Sequence, residues 1–361
     1  MRILPPALLL GTLLLVNPCV AVAQSALTRE ADLPRVYERE IAAFWAVVGK
    51  RHDFSGVDNI QIASMSFQNP GSDKGIVISN GRTESFIKYK EVVYDLWHAG
   101  YSVYVFDHRG QGFSGRILQP ASEGSSSEAK RALREIGHVE RFNDYVDDLK
   151  TFVERVVKPD SNRNLALLTH SMGGAIASLY LQNHSGDFAA AVLMSPMHEP
   201  NISPLPRRQC WMFKIRPVSL EAPVLGKGPF VDTDDFNPDR DMTSSRIRFE
   251  MLVRSEFRRH PEARLGGPSR NWAYEACEAA TRAREEAGHI TVPVLVLQAG
   301  EDNVVEPKGQ EQFCKKMNEV SLNSCSIIKI RGARHEMLIE NDEYRDKALS
   351  LALQFIAAHT Q

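Results

Sequence analysis

Residues 165–174 read LALLTHSMGG, an apolar run followed by His-Ser-Met-Gly-Gly and a stretch of small residues. A serine on a sharp strand-to-helix turn, flanked by small neighbours, presents its oxygen as a nucleophile, and Ser171 is the candidate. Thr169 stands two residues before it, where such turns usually carry glycine. Further on, QAGEDNVV places Asp302 just beyond one apolar run, and RGARHE places His335 just beyond the next. A serine hydroxyl is a weak nucleophile until a histidine takes its proton and a carboxylate fixes that histidine's tautomer. Glu301 or Asp302 would serve as the carboxylate; we expect Asp302. The oxyanion that forms needs main-chain N–H donors, expected at Met172 and, in the Asn80-Gly81-Arg82 loop, at Arg82. His170 would help shape the turn, while His108 and His138 read as structural or pocket-lining. This is acyl-transfer chemistry and requires no metal or organic cofactor.

A sheet must hold these residues. Asn59–Phe67 alternates like a half-buried strand, and Gly75–Ser79, Ser102–Phe106, Leu165–Thr169 and Ala189–Met194 are short β-rich runs. Helical patterns cover 33–48, Phe86–His98, Phe142–Val157 and Met172–Asn183, with Gly100 and Pro159 as stops. Val292–Gln298 and Ile327–Ile330 supply later strands, and Lys347–Ala358 a terminal helix. The alternation predicts an α/β fold, a mostly parallel sheet with helices on both faces. Sites in such sheets form at the C-terminal strand ends, and the order Ser171, Asp302, His335 is that of the α/β-hydrolase fold.

From 196 to 291 the pattern breaks into prolines, an Arg-rich helix (Arg246 to Arg259) and a Gly266-Gly267-Pro268 turn. We expect a mainly helical lid insertion there, with the hydrolase core in two parts, 24–195 and 292–361. Trp211, Phe213 and Trp272 either line an acyl channel or pack the insertion. Arg246, Arg248, Arg254, Arg258 and Arg259 read as a solvated helix face, because Glu250 and Glu256 are interleaved. Ser122–Lys130 reads as a polar surface loop.

The 361 residues are 43% hydrophobic and 24% charged, with net charge −2, which excludes collagen-like, disordered and polytopic membrane chains. No strongly basic region suggests a nucleic-acid partner. Between Arg2 and Arg29 there is no charge, and the apolar stretch Ala7–Val16 is ten residues long, against about twenty for a spanning helix. With Ala21-Val22-Ala23 after it, residues 1–23 read as a secretory signal peptide cut after Ala23, an uncleaved anchor being the alternative. The mature chain is then exported, periplasmic or secreted. Cys210, Cys277, Cys314 and Cys325 remain and allow three pairings. We expect Cys314–Cys325 and Cys210–Cys277, since each pair lies within one region of the chain.

The segment DHRGQGFSGR (107–116), together with the His-Ser-Met-Gly-Gly turn, resembles the monoacylglycerol lipase-like, serine aminopeptidase branch of the α/β-hydrolases. NGRTESFIKY (80–89), GHVERFNDYVDDL (137–149) and GGPSRNW (266–272) are similar, more narrowly, to segments of bacterial lysophospholipases associated with the inner membrane. The resemblance implies release of a fatty acid from a lysophospholipid, with peripheral membrane contact and a lid over the site. A monoacylglycerol lipase or broad carboxylesterase is the alternative. Peptidases share the scaffold, and so would a binding protein built on an inactivated hydrolase. Thr169 and the secretory signal depart from the pattern of that branch.

Overall fold

The computed structural model describes residues 27–119, 126–160, 164–202, 209–215, 218–232, 236–237 and 241–360; the expected signal, 1–23, lies outside the described residues. Eight strands form one sheet: β1 Lys50–Ser55, β2 Gln61–Phe67, β3 Lys74–Ser79, β4 Ser102–Phe106, β5 Asn164–His170, β6 Ala190–Met194, β7 Val294–Ala299 and β8 Cys325–Ile330. Their order is β1-β2-β4-β3-β5-β6-β7-β8. The first two pairings, β1 with β2 and β2 with β4, are antiparallel, and the rest are parallel.

The strands from β3 to β7 read as unbroken apolar runs because both faces are covered. Ile76, Val103, Leu168, Val192 and Leu297 point to one layer, where they pack with Val93 and Leu349. Val77, Tyr104, Leu167, Leu193 and Val296 point to the other, against Leu149, Ile176 and Phe313. The helices of the first layer are α2 Lys90–His98 and α9 Asp342–His359; those of the second are α4 Asn143–Phe152, α5 Met172–His184, α7 Arg270–Glu285 and α8 Pro307–Val320. α1 spans 33–48 with a wide turn at Tyr37–Ile41, α3 is Ser127–Arg134, and α6 spans 246–259.

Three expectations need correction. The polar stretch Ser122–Lys130 is not all loop: its second half enters α3, because Ser126 caps the helix by accepting the Ala129 N–H and the residues after it favour helix. Residues 120–125 lie outside the described residues. The helix α7, within the stretch expected to be lid, belongs to the core layer, with Ala276, Ala279 and Ala283 in the same cluster as α5. Arg248 is not on a solvated face. It is fully buried, bonded to Glu91 at 3.0 Å and to Asp342 at 2.8 Å, because α6 docks where α2 and α9 present carboxylates. The other arginines of α6 include exposed pairs, Arg258 with Asp232 and Arg259 with Glu38.

Cys210 is joined to Cys277 and Cys314 to Cys325, the expected pairing. Among the described residues no helix is long and apolar enough to cross a membrane.

Candidate active site

The chain passes from β3 to β4 on one side and returns to β5 on the other, so the loops after β3 and β5 diverge and open a crevice. Ser171 sits there, between the end of β5 and the start of α5, with φ 52° and ψ −116°. A non-glycine residue held so is strained, the hallmark of a nucleophile turn. The tightness comes from Gly173, where a Cβ would lie 2.1 Å from the Ser79 carbonyl oxygen. Thr169 is fully buried against Gly174, where a Cβ would lie 3.3 Å from its hydroxyl, and that hydroxyl has no hydrogen-bond partner among the described residues.

Asp302 follows β7 and His335 follows β8, and the structure brings the two together, His335 Nδ1 to Asp302 Oδ2 at 2.8 Å. Glu301 is exposed and is not the partner. The other Asp302 oxygen accepts the N–H groups of Val304 and Val305 at 2.9 and 3.0 Å. Burial works against its charge, but His335 and those two amides hold the carboxyl below the usual range. Ser171 is 8% exposed and its hydroxyl makes no hydrogen bond among the described residues. The Met172 and Arg82 N–H groups are likewise without acceptors among the described residues.

The loop that carries Arg82 is pinned from below. Gln111 donates to the Gly81 carbonyl at 2.8 Å, and His108 Nε2 donates to that of Asn80 at 3.1 Å. Burial drops the His108 pKa to about 4, so the ring is neutral and structural. Asp107 accepts the Phe86 and Phe113 amides and the Ser85 hydroxyl, and burial raises it to about 6. His138 ties the core to the insertion through Ser269 at 2.8 Å.

Sequence reasoning missed a buried ion cluster beside the site. Glu84 accepts the Gly81 N–H, the Tyr89 hydroxyl, Lys88 Nζ at 2.6 Å and His170 Nδ1 at 2.9 Å. Lys88 also reaches Glu336 at 2.6 Å, and His170 Nε2 faces the His335 carbonyl at 3.0 Å. Both His170 nitrogens therefore face acceptors, which only the doubly protonated ring satisfies. Burial opposes that charge, yet Glu84 and Glu336 raise its pKa. Glu84, also disfavoured by burial, is held well below its usual range by Lys88 and His170. Glu84, His170 and Glu336 offer donors within 4.8 Å of one another, but Lys88 already sits on both carboxylates, so the set is filled by the chain's own cation.

A cavity of about 740 Å³ adjoins the site, bounded on that side by Arg82, Glu84, Lys88, Val304 and Glu336. Its aromatic lining is Phe230, Phe249 and Phe257. Of the two roles open to Trp211, Phe213 and Trp272, lining this cavity is not the one they take. Trp211 is exposed and Phe213 buried off the cavity, while Trp272 packs in the core and donates to the Tyr145 hydroxyl.

The sheet order and the turn after β5 are those of an α/β-hydrolase. Residues 71–342 match the family described as serine aminopeptidase, S33, and the chain belongs to it. Lysophospholipase L2 of Escherichia coli K12 is 35% identical over 317 residues, covering 85% of this chain and 87% of that protein. A monoacylglycerol lipase of Mycolicibacterium smegmatis is 24% identical over 296 residues, 81% and 92% of the two chains. The crystal structure of a soluble variant of monoglyceride lipase from Saccharomyces cerevisiae shares the fold, with TM-score 0.61 and 18% identity over 88% of this chain and 98% of that one. The chain is an enzyme, a carboxylic ester hydrolase.

Proposed function

We propose that this enzyme cleaves the acyl ester of lysophospholipids through a covalent acyl-enzyme on Ser171. The observation that carries the reading is the 2.8 Å bond from His335 Nδ1 to Asp302, reaching from the loop after β8 to the loop after β7, beside a strained serine. That bond fixes the tautomer and leaves His335 Nε2 as the basic nitrogen. His335 takes the Ser171 proton as the serine oxygen attacks the ester carbonyl. The Met172 and Arg82 amides receive the oxyanion; losing one such donor costs about 10²–10³ in rate. Collapse of the intermediate expels the glycerol oxygen, which His335 protonates, and water then releases the fatty acid by the same steps. The hydrogen bond from Ser171 to His335 is of the kind that closes when substrate binds.

The lysophospholipid substrate is supported by the 35% identity to lysophospholipase L2. Monoacylglycerol is the second candidate, supported by the Mycolicibacterium relative. Peripheral membrane contact is part of the proposal: Trp211, Ile215, Val218, Leu225 and Val231 are all exposed within one stretch of the insertion. Export is supported by the two disulfides, which persist in oxidising compartments. A serine-directed fluorophosphonate tests the mechanism: an adduct on Ser171 is expected, and an unlabelled Ser171 in folded protein would overturn it.

A further inference from the structure

Among the described residues, two buried cations near the site are paired with carboxylates. Lys88 is held by Glu84 and Glu336, and Arg109 by Asp148. Arg82 faces no carboxylate among the described residues. Its Nη2 donates to the Gly266 carbonyl at 2.6 Å and its guanidinium lies 4.9 Å from the Trp272 ring centre. Its Nε is buried without an acceptor, and Nη1 makes no hydrogen bond among the described residues. Burial draws its pKa down to about 10, which leaves it fully charged at neutral pH. Arg82 is half-buried; a charge partly withdrawn from water without a counter-ion is costly, and a tether to one carbonyl does not require it. Arg82 lines the 740 Å³ cavity, with Lys227 also on its wall. Among the described residues, the cavity's carboxylates are engaged elsewhere, Glu84 and Glu336 with Lys88 and Asp241 with the Asn237 amide.

We infer that the Arg82 side chain is an anion subsite for the phosphodiester of the substrate headgroup, with Lys227 as an outer cation. The inference rests on the lysophospholipid reading and adds to it the group that recognises the phosphate. Reach agrees with it. In a 1-acyl lysophospholipid six bonds separate the acyl carbon from phosphorus, about 7.5 Å when extended. An arginine guanidinium lies about the same distance from its own backbone amide. One residue thus addresses both ends of the reacting glycerol ester, its N–H at the oxyanion and its guanidinium at the phosphate. Charge-assisted bonds to phosphate are the strong ones. Phe249, Val253, Phe257 and Ile339 leave an apolar wall for the acyl chain. A monoacylglycerol has no anion to offer Arg82, so this contact sets the preference between the two substrates.

The test measures kcat/KM for lysophosphatidylethanolamine and for a monoacylglycerol of the same acyl chain, in wild type, Arg82→Lys and Arg82→Met. The readout is the ratio of the two values, because replacing the side chain also disturbs the Gly266 tether and the neighbouring amide. Arg82→Met is expected to lower the ratio about 10- to 100-fold, with Arg82→Lys between. A ratio unchanged by both substitutions, whether activity survives or falls equally on both substrates, would leave Arg82 a tether and overturn the inference. Wild type that cleaves monoacylglycerol but not the lysophospholipid would overturn the substrate reading itself, and is seen before any substitution is made. Should Arg82→Met not fold, wild-type hydrolysis of 4-nitrophenyl butyrate decides. Competitive inhibition by glycerophosphoethanolamine but not by glycerol supports the subsite, and indifference to both refutes it.

Discussion

Replacing Asp302 with asparagine changes one atom and should nearly silence the enzyme, for a reason visible in its hydrogen bonds. One Asp302 oxygen accepts two main-chain N–H groups, from Val304 and Val305, and the other accepts His335 Nδ1. In Asp302→Asn the amide oxygen must take the first position, since an NH₂ group cannot accept those two donors. The NH₂ then faces His335 Nδ1, which becomes an acceptor, and the ring proton moves to Nε2. A histidine in that tautomer cannot take the Ser171 proton. Catalysis should fall by about 10⁴, or about 5 kcal/mol of transition-state stabilisation. The assay is fatty-acid release under single-turnover conditions, with the rate of fluorophosphonate labelling beside it; both should fall together. An asparagine variant within 10-fold of wild type would refute the assignment of Asp302 and the tautomer argument with it.

Gly173→Ala puts a Cβ 2.1 Å from the Ser79 oxygen and 2.6 Å from that of Asn80, driving α5 from the end of β3. Since a displacement of about 1 Å can cost about 10²-fold, kcat/KM should drop at least 10-fold while circular dichroism stays native. Arg248→Met leaves Glu91 buried beside Asp95 with one guanidinium fewer, and should cost about 3–5 kcal/mol in urea unfolding. The pKa of His170 is raised in the folded state, so its contribution to stability is complete below about pH 6.5 and is lost as pH climbs through the raised value. The melting temperature should therefore decline as pH rises from about 6.5 through that raised value, and His170→Gln should flatten the decline.

The parts of this molecule that read clearly are those whose burial leaves a period or a run. β3 to β7 are apolar on both faces, and the loops after β5, β7 and β8 carry Ser171, Asp302 and His335 in a recognisable order. β1 was not legible, because it is an antiparallel edge strand in which Phe54 is the buried residue and its neighbours are charged or polar. α8 was missed for a related reason: Phe313, Cys314 and Met317 are few apolar marks among Lys, Glu and Gln. The ion clusters were invisible in principle. Lys88, Glu84, Glu336 and Arg248 have the residue types of a solvated surface, and nothing in a single sequence states that their partners lie up to 248 positions away. Trp272, whose sequence context leaves open a channel or a packing role, packs against Tyr145 and the Arg82 guanidinium.

The central claim is that Ser171 carries an acyl group taken from a lysophospholipid. Fatty-acid release from lysophosphatidylcholine, measured on wild type and Ser171→Ala with matched melting curves, addresses it most directly. The account predicts release by wild type and none above background by a folded alanine variant. Near-wild-type release by Ser171→Ala, or none by wild type, would contradict it.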